Sequence, residues 1–205
     1  MDNSNADLVY NMSQLLKERV GSTRKLTLQT PELILDAVEG TQGERNAEGG
    51  DALVARDLHG GAKATRLGDG LLIQGDIEAG VQLECSRCLD QFTATVDASL
   101  EEQYKQTVEV ETGRLIERSE FEESDSIFDI DHNHLMDLSE PVRQALLVAL
   151  PMKPLCREDC AGICPECGAN RNEADCGHTP QTLDNRWAGL LELRLGDIQY
   201  GDNAN

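Results

Sequence analysis

The chain has 205 residues, enough for one or two small domains, and only 3% of them are aromatic. Its 18 Lys and Arg residues stand against 38 Asp and Glu residues, so the formal net charge is −20. Nucleic-acid binders usually carry a basic face, so the chain as a whole is expected to repel RNA. An acidic surface favours a basic protein as partner, although the charge alone also serves solubility.

The amino-terminal residues 1–6 are polar and acidic, without the apolar region of a secretory signal. No window approaches the ~18 apolar residues that a membrane span needs. We therefore expect a cytoplasmic protein without a membrane partner. In a reducing compartment, the seven cysteines indicate metal ligands or redox thiols rather than disulfides.

The first half of the chain is expected to be mainly strands. A short helix is predicted over residues 12–18 with Ser13 as its N-cap, and strands over 24–30 and 32–38, separated by Pro31. The next strands, with short Gly- or Asp-containing turns between them, are predicted over residues 62–66, 71–77, 81–85 and 92–100. This spacing is typical of an antiparallel meander.

The clearest helix pattern covers residues 137–150. Ser139 can cap this helix, and Pro141 lies in the first turn, where its missing N–H costs no hydrogen bond. The helix carries an apolar stripe at helical spacing, formed by Val142, Ala145, Leu146, Ala149 and Leu150. A last helix is predicted over residues 184–195.

These elements predict an α+β fold with an antiparallel sheet, barrel-like or open, a few helices and a C-terminal zinc-knuckle segment. We divide the chain into a sheet domain over 1–150, closed by the helix over 137–150, and a Cys-rich zinc-binding segment with its helix over 151–195. Residues 196–205 are expected to be a disordered tail.

Seven cysteines and one histidine form four closely spaced ligand pairs, namely Cys85/Cys88, Cys156/Cys160, Cys164/Cys167 and Cys176/His178. Eight ligands suffice for two closed tetrahedral zinc sites. The third pair is the most specific, because it belongs to a Cys-Pro-x-Cys-Gly motif. Gly168 lets the backbone after the two thiolates turn so that amide N–H groups point at the sulfurs.

The sequence allows more than one grouping of these pairs. The local choice joins the Cys164 pair to the Cys176 pair, which leaves the Cys85 pair to meet the Cys156 pair across the fold. We predict two zinc ions in this arrangement. The alternatives are a single site with the remaining thiols free, or the Cys156 pair completing the site of the Cys164 pair.

No enzymatic activity is expected. A thioredoxin-like site needs its CxxC at a strand-to-helix junction, whereas the residues flanking Cys85 and Cys88 predict strand, turn and strand. A catalytic zinc needs an open coordination position, and eight ligands for two ions leave none. A thiol redox protein that uses the Cys85/Cys88 pair is kept as an alternative.

The motifs around the cysteines resemble those of the YceD family. Residues 83–89 resemble its C-x-R-C turn, and residues 150–170 resemble its LPL-x-PLC and GLCP-x-CG motifs. Residues 184–190 resemble its closing D-P-R helix start, although Asn185 replaces the proline. Cys176-Gly177-His178 stands where the family has C-x-C, a change that zinc tolerates. The resemblance covers most of the chain.

The resemblance implies a zinc-binding accessory role in the accumulation of large-subunit ribosomal RNA and in assembly of the large ribosomal subunit. The expected partner of the acidic surface is a basic ribosomal protein or a large-subunit assembly intermediate. The alternative is direct rRNA binding through a local basic patch formed by Lys153, Arg157 and Arg171. No oligomeric state is predicted.

Overall fold

The computed structural model describes residues 8–35, 53–116 and 128–178. The chain divides into two compact units, Met1–Cys160 and Ala161–Asn205, so the division falls inside the Cys-rich segment. The predicted three-part division of the chain stays a prediction. The predicted last helix and the predicted tail lie outside the described residues.

The described part of the first unit is built mainly from strands. Its elements are β1 Val9–Asn11, α1 Ser13–Leu16, β2 Thr23–Ile34, β3 Val54–Arg66, β4 Gly70–Glu84, β5 Gln91–Gln106, β6 Phe128–Ile130, β7 Leu135–Asp137 and α2 Ser139–Ala149. Strands β2 to β6 form one open five-stranded sheet in chain order. β2 to β5 pair antiparallel, and β6 pairs parallel with β5. β1 and β7 form a separate antiparallel pair. The predicted α+β class is thus confirmed, and in the described residues the sheet is open rather than barrel-like.

One face of the sheet is apolar and the other is polar. From Val96 to Leu100, strand β5 alternates between buried and exposed residues, as a strand with a single packed face does. Helix α2 packs on the apolar face through Val142 and Leu146, which are completely buried. Tyr104 joins this core, and its hydroxyl donates to the backbone carbonyl of Asp137 at 2.5 Å. The core therefore lies between the sheet and α2.

Pro31 does not separate two strands as predicted, because β2 runs through it. The β2–β3 ladder pairs Thr30 with Leu58 and then Glu32 with Arg56, so Pro31 makes no ladder pair. Proline has no N–H for a ladder, and an edge strand with a local irregularity tolerates it. On β3, Asp57 lies between the paired residues Arg56 and Leu58 and makes no ladder pair itself. Its φ of 51° lies in the left-handed region.

Close backbone approach between β3 and β4 explains two glycines of these strands, Gly60 and Gly75. A Cβ on Gly75 would lie 2.3 Å from the carbonyl oxygen of Gly61 and 2.6 Å from the Cα of Ala62. A Cβ on Gly60 would lie 2.2 Å from the carbonyl oxygen of Asp76. Only glycine fits these positions without moving the backbone.

Neither predicted serine caps its helix. The side-chain oxygen of Asn11 accepts from the Ser13 backbone N–H at 3.0 Å and from its hydroxyl at 2.7 Å. A carboxylate oxygen of Asp137 likewise accepts from the Ser139 N–H at 2.8 Å. Asn and Asp often bond to the backbone two residues ahead, which explains why they replace serine here. Helix α2 consequently starts at Ser139 rather than at residue 137, and Asp137 belongs to β7.

Among the helices of the described ranges, none is both long and apolar enough to cross a membrane.

Candidate metal centres

The eight predicted ligands form two groups in the structure. The first centre consists of Cys85, Cys88, Cys156 and Cys160, and the second of Cys164, Cys167, Cys176 and His178. Within each centre the ligand atoms all lie within 4.8 Å of one another. This is the grouping that the local pairing of the sequence predicts, and the geometry does not place the Cys156 pair with the Cys164 pair.

The first half of the first centre is the turn between β4 and β5. The Cys85 N–H donates to the carbonyl of Asp90, and the Leu89 N–H donates to the carbonyl of Cys85, both at 2.9 Å. Leu89 has a φ of 64°, the left-handed conformation that closes this turn. The turn brings Cys85 and Cys88 close enough together to share one ion.

The second half of the first centre follows α2. A backbone hydrogen bond of 2.8 Å from the Ser86 N–H to the carbonyl of Pro154 joins this segment to the turn. The sulfurs of Cys85 and Cys160 then lie 3.8 Å apart, and those of Cys88 and Cys156 lie 3.7 Å apart. A tetrahedral zinc with Zn–S bonds of about 2.3 Å separates its sulfurs by roughly 3.8 Å. A disulfide would need about 2.05 Å. The spacing fits an ion rather than a bond.

The first centre is shielded from water. Cys85 is 0% exposed, and Cys88 and Cys160 are each 4% exposed. The side chains of Phe92 and Leu155 pack against these cysteines. Cys156 is half-buried. A largely buried set of four cysteines is typical of a structural zinc site.

The second centre is a local structure within the second unit. The Gly168 N–H donates to the carbonyl of Cys164, and the Cys164 N–H donates to the carbonyl of Ala169, both at 2.8 Å. Gly168 has a φ of 73°, in the left-handed region that favours glycine. Gly168 thus lets the backbone turn directly after Cys164 and Cys167.

The remaining ligands of the second centre, Cys176 and His178, flank Gly177, which has a φ of 70°. The Gly177 N–H donates to the Asp175 carboxylate at 2.9 Å, which shapes the turn between the two ligands. Cys164 is only 2% exposed, whereas Cys167 is exposed. The second centre is therefore more open to solvent than the first.

In each centre, hydrogen bonds from backbone N–H groups lower the pKa of one cysteine thiol. Hydrogen bonds from the backbone of Cys156 and then of Cys88 lower the pKa of Cys85 from 9.0 to about 6, against the effect of burial. Hydrogen bonds from the backbone of Cys167 and then of Glu166 lower the pKa of Cys164 from 9.0 to about 6 in the same way. Thiolate is the form of cysteine that binds metals, so one thiol in each centre is ready for a cation. Burial raises the pKa of Cys156, so this ligand favours its protonated form until a metal binds.

Each centre thus offers four ligand atoms within 4.8 Å of one another, four sulfurs in the first and three sulfurs with one imidazole nitrogen in the second. Such donor sets select zinc or iron–sulfur chemistry over magnesium and calcium, which prefer oxygen ligands. Each centre can hold a metal ion.

The fold and these centres define the chain as an α+β protein with two cysteine-rich metal-ligand centres. Residues 73–194 match the family model described as "Large ribosomal RNA subunit accumulation protein YceD". The chain therefore belongs to the YceD family.

Similar proteins of mycobacteria carry no functional name. Uncharacterized proteins of Mycobacterium bovis and Mycobacterium tuberculosis are each 30% identical to this chain over 150 residues, which cover 69% of this chain and 62% of the relative. An uncharacterized protein of Mycobacterium leprae is 28% identical over 131 residues, 62% of this chain and 55% of the relative. The chain spans about three-fifths of the length of the curated relatives it matches. No solved structure matches.

Proposed function

We propose that this protein is a zinc-binding accessory factor in the accumulation of large-subunit ribosomal RNA and in assembly of the large ribosomal subunit. The observation that carries the proposal is membership of a family named for large ribosomal RNA subunit accumulation. The two four-ligand centres supply the zinc part of the proposal.

In this proposal, zinc stabilises the fold and takes no part in a reaction. The ligands of the first centre come from the β4–β5 turn and from the segment after α2, which lie 68 to 75 residues apart in the chain. A metal at this point cross-links two distant parts of the first unit, and metal binding then contributes to folding. The second centre organises a short segment of the second unit in the same way.

We propose that the protein acts by binding rather than by catalysis. The redox alternative requires that a substrate disulfide reach a thiolate of the Cys85/Cys88 pair. The two residues are 0% and 4% exposed, and the sulfurs of Cys160 and Cys156 face them. This environment favours a structural metal site over thiol exchange.

A basic ribosomal protein, alone or within a large-subunit assembly intermediate, is the partner that the charge supports. The solvent-facing side of β4 and β5 carries exposed carboxylates at Asp76, Glu78, Asp97 and Glu101. Electrostatic attraction of this kind speeds association and weakens as salt rises. Affinity capture at low salt is expected to recover such a protein or particle. Recovery of rRNA free of ribosomal proteins would instead favour the direct rRNA-binding alternative.

The proposed function is tested by depleting the protein from cells and measuring the ratio of large- to small-subunit rRNA. Depletion is expected to lower the ratio, and wild-type protein is expected to restore it. The double variant Cys164→Ser/Cys167→Ser is expected to fail, because it removes half of the ligands of the second centre. Glu173→Ser, a change outside the ligand set in the same unit, serves as the matched control and is expected to rescue. A ratio that does not change on depletion refutes the proposal.

A further inference from the structure

The four ligands of the first centre come from two distant parts of the chain, which must be held side by side to share one ion. Cys156 and Cys160 lie in a segment without helix or strand, from residue 151 to residue 160. Their partners lie in the β4–β5 turn, 68 and 75 residues away in sequence. An irregular loop of this kind loses conformational entropy when it is ordered. Contacts that order the loop before the ion arrives therefore strengthen metal binding.

Arg87 makes such a contact. It lies between the two ligands of the β4–β5 turn, and its guanidinium reaches across to the loop that carries the other two ligands. Its Nη1 donates to the backbone carbonyl of Glu158 at 3.2 Å and to that of Cys160 at 3.0 Å. One side chain thus joins the two halves of the centre.

We infer that Arg87 is a positioning residue for the first centre, which holds the Cys156–Cys160 loop against the β4–β5 turn in a metal-ready arrangement. The inference rests on the zinc binding proposed above. It assigns Arg87 no direct contact with the ion. Its effect passes through the backbone carbonyls of Glu158 and Cys160, and so through the placement of the Cys160 ligand.

The chemistry of arginine suits this position. Its guanidinium offers several N–H donors in one plane. Hydrogen bonds from a charged donor are roughly twice as strong as neutral ones. A zinc ion with four thiolates carries a net charge of about −2, which a nearby cation offsets. Arg87 therefore supports the centre through its directed hydrogen bonds to Glu158 and Cys160, which its charge strengthens.

The test isolates the first centre in the full-length chain. The background variant Cys164→Ser/Cys167→Ser disables the second centre, and cobalt(II) replaces zinc because tetrahedral cobalt–thiolate complexes absorb visible light. Cobalt titrations then compare the background with added Arg87→Met, Arg87→Lys or Lys153→Met. Lys153 is an exposed cation in the segment that carries Cys156 and Cys160, so its loss is the matched control for charge. Far-ultraviolet circular dichroism verifies that the sheet is retained in each variant.

Arg87→Met is expected to weaken cobalt binding by about 10- to 100-fold, the usual cost of losing a residue that orients metal ligands. Arg87→Lys is expected to recover part of this loss, and Lys153→Met is expected to bind cobalt like the background. If Arg87→Met does not retain the sheet, Arg87→Gln, which keeps a neutral donor, is tested in its place with weaker binding again expected.

Equal cobalt affinity in the background and in a folded Arg87→Met or Arg87→Gln variant overturns the inference. Equal weakening by Lys153→Met overturns it as well, because local charge rather than the hydrogen bonds would then explain the effect. A background that gives no cobalt–thiolate absorption refutes the proposed metal site itself, and the role of Arg87 falls with it. The two failures are therefore distinguishable.

Discussion

Cys85 and Cys164 occupy equivalent positions in two separate turns. Each is the first cysteine of a CxxC pair, and each accepts hydrogen bonds from backbone N–H groups that include that of the pair's second cysteine. The spacing within each pair is local, so the sequence predicts the pairs. The side chain of Arg87 crosses to a segment far along the chain, and spacing alone does not reveal such a contact.

A pH titration of the folded, metal-free protein tests the state of these two thiols. The pKa of both is lowered to about 6, so each is expected to be ionised above that pH and protonated below it. Ultraviolet absorbance of the thiolate is expected to rise with a midpoint near pH 6, and Cys85→Ser and Cys164→Ser are each expected to remove part of that step. In denaturant the step should move toward the ordinary cysteine value. A folded protein without any thiolate until pH 8 would contradict this prediction.

At the scale of elements, the sequence predicts most strands but not their full lengths. The predicted turn over residues 78–80 lies inside β4, where Ala79 is buried and Gly80 pairs with both Arg56 and Thr95. Pairing on both sides of a central strand outweighs the local preference of glycine for a turn. Because that pairing joins distant residues, a local pattern does not reveal it.

Glycine substitutions test the close approach of β3 and β4. Gly75→Ala is expected to destabilise the protein by about 1–3 kcal/mol or more, because its Cβ would lie 2.3 Å from a backbone oxygen. Gly68→Ala, where a Cβ would meet nothing within 4 Å, is the control and is expected to change stability little. Urea unfolding followed by circular dichroism measures both. Equal midpoints for the two variants would show that the strands adjust to the added methyl group.

At the scale of the whole molecule, the two centres differ in what they connect. The first centre joins parts of the first unit that are 68 to 75 residues apart, whereas all four ligands of the second lie between residues 164 and 178. A cross-link that closes a long loop removes more entropy from the unfolded chain than one that closes a short loop. The sequence predicts this grouping as the local choice among the pairs and leaves two others open, whereas the fold brings the first centre together.

Calorimetry is expected to separate the contributions of the two centres to the thermal stability of the first unit. Cys88→Ser should lower the melting temperature of the main unfolding transition by several degrees, because it opens the long-range cross-link of the first unit. Cys167→Ser should leave that transition nearly unchanged, because its centre lies within the second unit. An equal fall for both variants would show that the two centres contribute alike to the stability of the first unit.

Native mass spectrometry of the full-length protein counts the zinc ions that the eight proposed ligands bind. We expect a mass that corresponds to two zinc ions per chain. We expect one ion in each of the variants Cys85→Ser/Cys88→Ser and Cys164→Ser/Cys167→Ser, and none after treatment with a strong chelator. A wild-type protein that carries one ion or none after expression with ample zinc would show that the two proposed zinc sites do not both exist.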